Sequence, residues 1–140
     1  MKLLFECELP GRVGIKKNSK RLAQVRGRPM MFSSKQYLAW RRSALIHLKQ
    51  IKTRRLLTIS CPLMAEYSFH FKDRRSESDV SNCIEGPADL LQEASIIEND
   101  KQIVSLSARK VFDGTEKTVI KLYELAALDG GRRGVKREGE

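Results

Sequence analysis

Apolar and polar residues alternate in "KLLFECEL" (residues 2–9), which predicts a strand, and Pro10-Gly11 ends it. The period then changes. Ser33 or Ser34 can cap a helix, and Tyr37, Trp40, Ala44, Leu48 and Ile51 follow at helical spacing. This predicts an amphipathic helix with Arg41, Arg42 and Lys49 mostly off the apolar stripe. Tyr37 and Trp40 are expected in the core and not as base-stacking platforms. "LLTISCPLMAEYSFHF" (56–71) predicts a long strand bulged near Pro62, and "KDRRSES" (72–78) a charged loop. "NCIEGPADLLQEASII" (82–97) predicts a helix over about residues 84–94, because Pro87 must fall in a first turn. "QIVSLSARKVF" and "KTVIKLYEL" predict two strands, with "DGTE" (113–116) as a hairpin turn between them. The order predicts an α+β fold: a small, mostly antiparallel sheet with two main helices.

Between the first strand and the first helix lies "RVGIKKNSKRLAQVRGRPMMFSS" (12–34), with seven basic residues and no acid. Its weak periodicity fits a binding loop or disordered segment that can hold a hairpin turning at "VRGRP". From Ala126 the chain is Gly-rich and charged, so a single domain over 1–125 with a disordered tail, 126–140, is expected.

Charge sharpens this picture. Residues 1–55 carry 15 Lys and Arg against 2 Glu, a balance of +13, whereas residues 56–140 balance at −3. A basic face of that density suits a polyanion, most simply nucleic acid, and on charge alone it suits a merely solvated surface about equally. Its candidate contacts are Lys16, Lys17, Lys20, Arg21, Arg26, Arg28, Arg41 and Arg42. With 41% hydrophobic residues the chain is globular, and its longest uncharged run near the middle, "LLTISCPLMA", is too short to span a membrane. The opening "MKLLFECELP" resembles a signal peptide, but Glu6 and Glu8 interrupt its apolar region, so it reads as a strand of a cytoplasmic protein. Cys7, Cys61 and Cys83 have no metal-like spacing and read as reduced, partly buried thiols. His47 and His70 are not spaced to chelate zinc.

Clustered acids in a chain built to attract phosphates need a reason. Glu77, Asp79, Glu85, Asp89, Glu93, Glu98 and Asp100 fall within residues 77–100. A divalent ion supplies one, since Mg²⁺ takes hard oxygen ligands and can activate a phosphodiester for hydrolysis. A helix of about ten residues carries the chain away by ~15 Å, and Ser95 to Asn99 can return by ~16 Å, so Asp100 can come back beside Asp79. Structural roles compete: Asn82 and Glu85 fit a capping box, Asp79 an Asx turn, and Glu98–Asp100 a turn before a strand.

"SDVSNCIEGPADLLQEASIIENDKQI" resembles the core motif of the RusA-like Holliday junction resolvases, D-x-D-N-x-x-K-x-x-x-D-x-L followed by D-D-x-Q-I. Asp79 and Asn82 fall on the first Asp and the Asn, Asp89 and Leu91 on D-x-L, Asp100 on the second Asp of the pair, and Gln102 and Ile103 on Q-I. The opening is similar too: "LPG" after a first strand, a basic loop, then a Ser-capped helix with Tyr and Trp. The likeness spans about residues 5–125. It implies a small homodimeric endonuclease, often phage-encoded, that uses Mg²⁺ (or Mn²⁺) to resolve four-way DNA junctions by paired nicks. It implies metal binding by Asp79 and Asp100, with Ser81 as a neutral oxygen ligand and Glu85 and Asp89 near the ion. Three positions depart from the motif: Ser81 replaces the second metal Asp, Asn99 the first Asp of the pair, and Glu85 a Lys. Two other readings stand beside the nuclease: a family member that binds branched DNA without cutting it, and an unrelated DNA- or RNA-binding regulator.

Overall fold

The computed structural model describes residues 1–16, 20–56 and 58–125, with the backbone alone for 20–25 and 29–33. Lys17 and the expected tail 126–140 lie outside the described residues. The strands are β1 (Lys2–Pro10), β2 (Lys20–Val25), β3 (Arg28–Ser33), β4 (Leu63–Phe71), β5 (Ile103–Phe112) and β6 (Lys117–Glu124). The helices are α1 (Lys35–Arg55), α2 (Val80–Cys83) and α3 (Glu85–Glu93).

The fold is α+β, as the residue pattern predicts. β1, β6, β4 and β5 form one sheet in that order, antiparallel at β1–β6 and β6–β4 and parallel at β4–β5. β2 and β3 form a separate hairpin inside the basic segment, turning at Arg26-Gly27, both at positive φ (53° and 77°) as the "VRGRP" signal requires. Alternation decides which face of the sheet is wet. Phe5, Cys7 and Leu9 of β1, Leu63 through Phe71 at every second position of β4, and Ile120 and Leu122 of β6 are buried. The intervening Glu6, Glu8, Glu66, Lys117 and Lys121 lie on the opposite face, where Glu8 meets Lys117 (3.5 Å) and Glu6 meets Lys121 (4.0 Å). All three cysteines are free, and burial pushes the Cys7 thiol up to about 12.

α1 and α3 pack on the apolar side. Ser34 caps α1, its hydroxyl accepting from the Tyr37 N–H (3.2 Å), and Tyr37, Trp40, Ala44 and Leu48 form the buried stripe. The Trp40 indole lies against two glycines. A Cβ on Gly14 would stand 2.8 Å from Trp40 Cε3, and one on Gly86 2.9 Å from Trp40 Cζ3. Gly14 belongs to the basic segment and Gly86 to the first turn of α3, so one ring joins three parts of the chain.

Four expectations are corrected. Asp113–Glu116 is not a hairpin turn, because β4 lies between β5 and β6; the segment crosses the end of β4 instead. The strand begins at Leu63, after Pro62, and residues 56–62 contribute only a single bridge, Ile59 to Ile97. Pro62 lacks the N–H a central strand needs on both sides, so it stays outside. The capping box on α3 is absent: Asn82 sits within the preceding turn α2, and the N-cap position is Ile84, with no side-chain cap. Asp79 makes no side-chain cap bond either, so the Asx turn is not formed. Pro87 does fall in the first turn of α3.

At the crossing, His70 Nδ1 lies 2.8 Å from Asp113 Oδ2, and Asp113 Oδ1 accepts from the Thr115 N–H (3.2 Å) and hydroxyl (2.7 Å). The Thr115 hydroxyl first, then His70, hold the Asp113 carboxyl at about 2 instead of 3.8. A lowered carboxylate stabilises the fold above its ordinary range and loses that contribution as pH falls toward about 2. Carboxyl NMR titration is expected to give a midpoint near that value and an upward shift in Thr115→Val; an ordinary midpoint in the wild type would mean the crossing is not clamped. At Gly86, alanine gains about 1 kcal/mol of helix propensity but overpacks a buried ring at ~1–3 kcal/mol, so Gly86→Ala is expected to lower stability by up to about 2 kcal/mol in urea unfolding. In a Trp40→Phe background that cost should shrink; an unchanged cost would place the clash elsewhere.

Candidate functional site

Chain geometry sets the Asp79 end of the site. After β4, Asp73 caps a 3-10 turn (Arg74–Ser76), its Oδ1 accepting from the N–H groups of Arg75 (3.0 Å) and Ser76 (3.2 Å). Arg74 stacks over the Phe112 ring at 4.5 Å, Glu77 pairs with Lys110 of β5, and Arg12 donates to the Ser78 hydroxyl (3.4 Å). The next residue but one after Glu77 is Asp79, at the N-cap position of α2. Its backbone is pinned: its carbonyl accepts from the Asn82 N–H (3.0 Å) and from the buried Cys83 thiol (3.4 Å). Its carboxylate is exposed and makes no cap bond, so both oxygens remain available. Ser81 is exposed on the same short turn.

Lys110 was not singled out among the sequence candidates. It pairs in register with Phe69 on the core side of the sheet, where Leu106, Ala108 and Phe112 are its same-face neighbours. A lysine interrupting an apolar face was the available signal. With Arg12, it supplies positive charge at the Asp79 end, where the motif's own lysine position holds Glu85.

The Asp100 end is built by two glutamines. α3 closes with Ser95 at φ 61°, after which Ile96 and Ile97 are buried and Ile59 donates to the Ile96 carbonyl (2.8 Å). Gln102 Oε1 accepts from the N–H groups of Glu98 (2.8 Å) and Asn99 (2.9 Å), while its Nε2 donates to the carbonyls of Ile59 (2.9 Å) and Cys61 (3.0 Å). All four bonds the side-chain amide can make to backbone are filled. Asn99 caps the 3-10 turn Asp100–Gln102 by accepting from the Lys101 N–H (2.8 Å), and Gln92 Oε1 accepts from the Asp100 N–H (2.8 Å). Asparagine at 99 therefore does a cap's work without a charge. Asp100 is left with a fixed backbone and an exposed side chain.

The two ends are far apart along the chain's own sheet. Asp100 immediately precedes β5, whose first residue Ile103 faces Leu63 at the start of β4, whereas Glu77 and its neighbour Asp79 sit by Lys110 toward the far end of β5. Seven residues of strand span about 23 Å. The spacing allows Asp100 to return toward Asp79 within one chain, but the Ser95–Asn99 segment is tied to Ile59 and Gln102 at the start of β5 rather than extended backward. Among the described residues no group of three or more His, Cys, Asp or Glu could hold a metal ion. The two free aspartates and the Ser81 hydroxyl are nonetheless the hard oxygen donors that suit Mg²⁺, which usually takes one or two carboxylates and keeps its remaining positions as water.

The other candidates sit across α3. Asp89 is engaged by Lys16 Nζ at 2.5 Å and Glu93 by Arg41, on the walls of a 600 Å³ hollow that also includes Tyr37, Leu38 and Gln92. The Asp89 hydrogen bond raises the Lys16 ammonium above its ordinary range. Asp89 thus answers a lysine here, and Glu85 is exposed nearby. Arg26 and Arg28 are exposed at the hairpin tip and Arg42 on α1, with no ion pair among the described residues; for Lys20 and Arg21 only the backbone on β2 is described. No described helix is long and apolar enough to cross a membrane.

A search of curated proteins finds no match. The family model for "Endodeoxyribonuclease RusA" matches residues 11–123, which takes in the basic segment, both aspartates and all the strands except β1 and the last residue of β6. The chain therefore belongs to the RusA endodeoxyribonuclease family.

Proposed function

We propose that the protein is a Mg²⁺-dependent endonuclease that resolves four-way DNA junctions by paired nicks, and that it works as a homodimer joined through β5. The observation that carries this reading is the placement of two uncommitted carboxylates at opposite ends of an uncovered edge strand. β5 is ten residues long, pairs on one side only, and exposes Val104 (58%) and Leu106 (43%). A bare apolar edge of that length invites another strand. Antiparallel pairing of two β5 strands across a twofold axis sets the Asp100 end of one chain against the Asp79 end of the other. Two equivalent sites follow, which is what two symmetric cuts need.

In each site Asp79 and Asp100 of the partner subunit would hold the ion, with Ser81 beside them. The ion supplies Lewis acidity toward the phosphodiester and an acidified water. Lys110 and Arg12 offset phosphate charge, and Arg26 and Arg28 reach backbone phosphates from the hairpin. Such contacts position DNA without reading its sequence, so binding follows junction shape and weakens with salt. A second reading, a junction-binding accessory protein that does not cut, is favoured by Glu85 at the motif's lysine position and by the absence of a three-acid cluster within the described residues.

A labelled four-way junction incubated with Mg²⁺ or Mn²⁺, against an EDTA control, separates the two: metal-dependent product supports the nuclease, and binding without product supports the accessory role. Asp79→Asn and Asp100→Asn are each expected to bind the junction as the wild type does and to lose nicking by at least ~100-fold, about 2.7 kcal/mol of transition-state stabilisation. Mixed dimers of the two variants restore one wild-type site and should recover single nicks; no recovery would rule out sharing between subunits. Leu106→Lys is expected to shift sedimentation from dimer to monomer and to abolish nicking with it.

A further inference from the structure

We propose that the outer face of α1 is a phosphate-binding surface that holds one duplex arm of the branched DNA. The inference rests on the nuclease reading above and extends it to residues that reading does not use. α1 has seven Lys and Arg and no acid over its 21 residues. The helix dipole accounts for Lys52, Arg54 and Arg55 in the last turn, but not for Arg42 and Lys49 in the middle. Those two stand seven residues apart on one stripe, with Ile46 between them. Arg41 of this helix pairs with Glu93, whereas Arg42, Lys49 and Arg54 have no ion pair among the described residues. Like charges aligned on one face repel, and Asp89 and Glu93 of α3 are already engaged with Lys16 and Arg41.

Shape supports the same reading. A shallow hollow of 660 Å³ is lined by Ile46, Lys49, Gln50, Thr53 and Arg54. It shares Ile46 and Lys49 with a second hollow of 310 Å³, which in turn shares Leu38 and Arg41 with the hollow over Asp89. Neighbouring hollows thus share walls from α3 to the end of α1. Ile46 is 55% exposed and Leu38 40%, apolar contacts for sugar and groove wall among cations. Leu38 to Arg54 spans sixteen residues, about 24 Å of helix, which matches roughly seven base pairs at ~3.4 Å each. Gln50 and Thr53 add neutral donors of the kind that contact phosphate oxygens. An acidic protein would meet the same charges, but the shared walls that lead to Asp89, a residue of the family's motif, favour the DNA substrate itself.

The test measures junction affinity by fluorescence anisotropy without Mg²⁺, between 50 and 200 mM salt, for the wild type and for Arg42→Ala, Lys49→Ala and Arg54→Ala singly and together. Each lost phosphate contact should reduce the salt slope by about 0.9, so the triple variant is expected to lose about 2–3 units of slope and at least ~10-fold in affinity at low salt. Its thermal melting should stay near that of the wild type, since alanine suits an exposed helix position. Hydroxyl-radical protection of about seven base pairs on one arm should disappear in the same variant. Unchanged slope and footprint, with wild-type protein that binds and nicks, would overturn the α1 surface and leave the nuclease standing. Wild-type protein that neither binds nor nicks junctions would instead overturn the functional reading itself. A triple variant that keeps its slope but changes sedimentation would assign the face to a second copy of the chain.

Discussion

The way α1 meets α3 turns on one aromatic ring. Trp40 projects from α1 against Gly14 and Gly86, and neither position has room for so much as a methyl group. The contact fixes how close α3 may come to α1, and therefore where Lys16 meets Asp89 and Arg41 meets Glu93. Those ion pairs are half-exposed and worth only about 0.2–1 kcal/mol each, so they follow the packing rather than dictate it. Glu85, beside Gly86, takes its exposed position from the same constraint.

The aspartates illustrate a division between backbone and side chain. At Asp79 the carbonyl is bound while the carboxylate is left to solvent; at Asp100 the amide is bound, through Gln92, while the carboxylate is again left. A site meant to take an ion needs oxygens whose carriers do not move, and hydrogen-bonding the main chain achieves that without consuming the ligand. Gln102 makes the point most fully. Its place in the family's motif needs no chemistry at the ion, because its amide already ties the segment before β5 to the one before β4.

How much of this could be read beforehand depended on range. α1 was legible from the Tyr37–Trp40–Ala44–Leu48 period and a serine cap, and α3 from Pro87, because such signals act over a few residues. The α+β class and the buried aromatics were legible for the same reason. Strand order was not. "DGTE" has a turn's composition, and composition does not say whether another strand intervenes. Asn82 and Glu85 matched a capping pattern, but the chain breaks at Ile84 to form two short helices, and the pattern lost its register. Gly14 and Gly86 carried no local sign that they border the same ring. The aspartates were legible as a pair only through the motif. Their separation along β5 followed from how Ile59 and Gln102 hold the return segment, a contact between distant parts of the chain.

The order of strands in the sheet has a consequence for how the protein is made. β1 is synthesised before β6, with the other described strands between them, yet each is the other's neighbour, from Lys2 opposite Glu124 to Pro10 opposite Lys117. β6 is also the only strand that covers the β1-side edge of β4. On emergence, β4 and β5 can pair and α3 can dock, but β1 has no partner until residue 124 is available. Contacts of such long sequence separation slow folding, because the loop they close must be ordered before they form. The half-built sheet therefore exposes the edges of β1, β4 and β5 together. Until β6 arrives, the edge proposed to join two finished subunits has competitors within its own chain, so the proposed pairing of subunits must wait for β6.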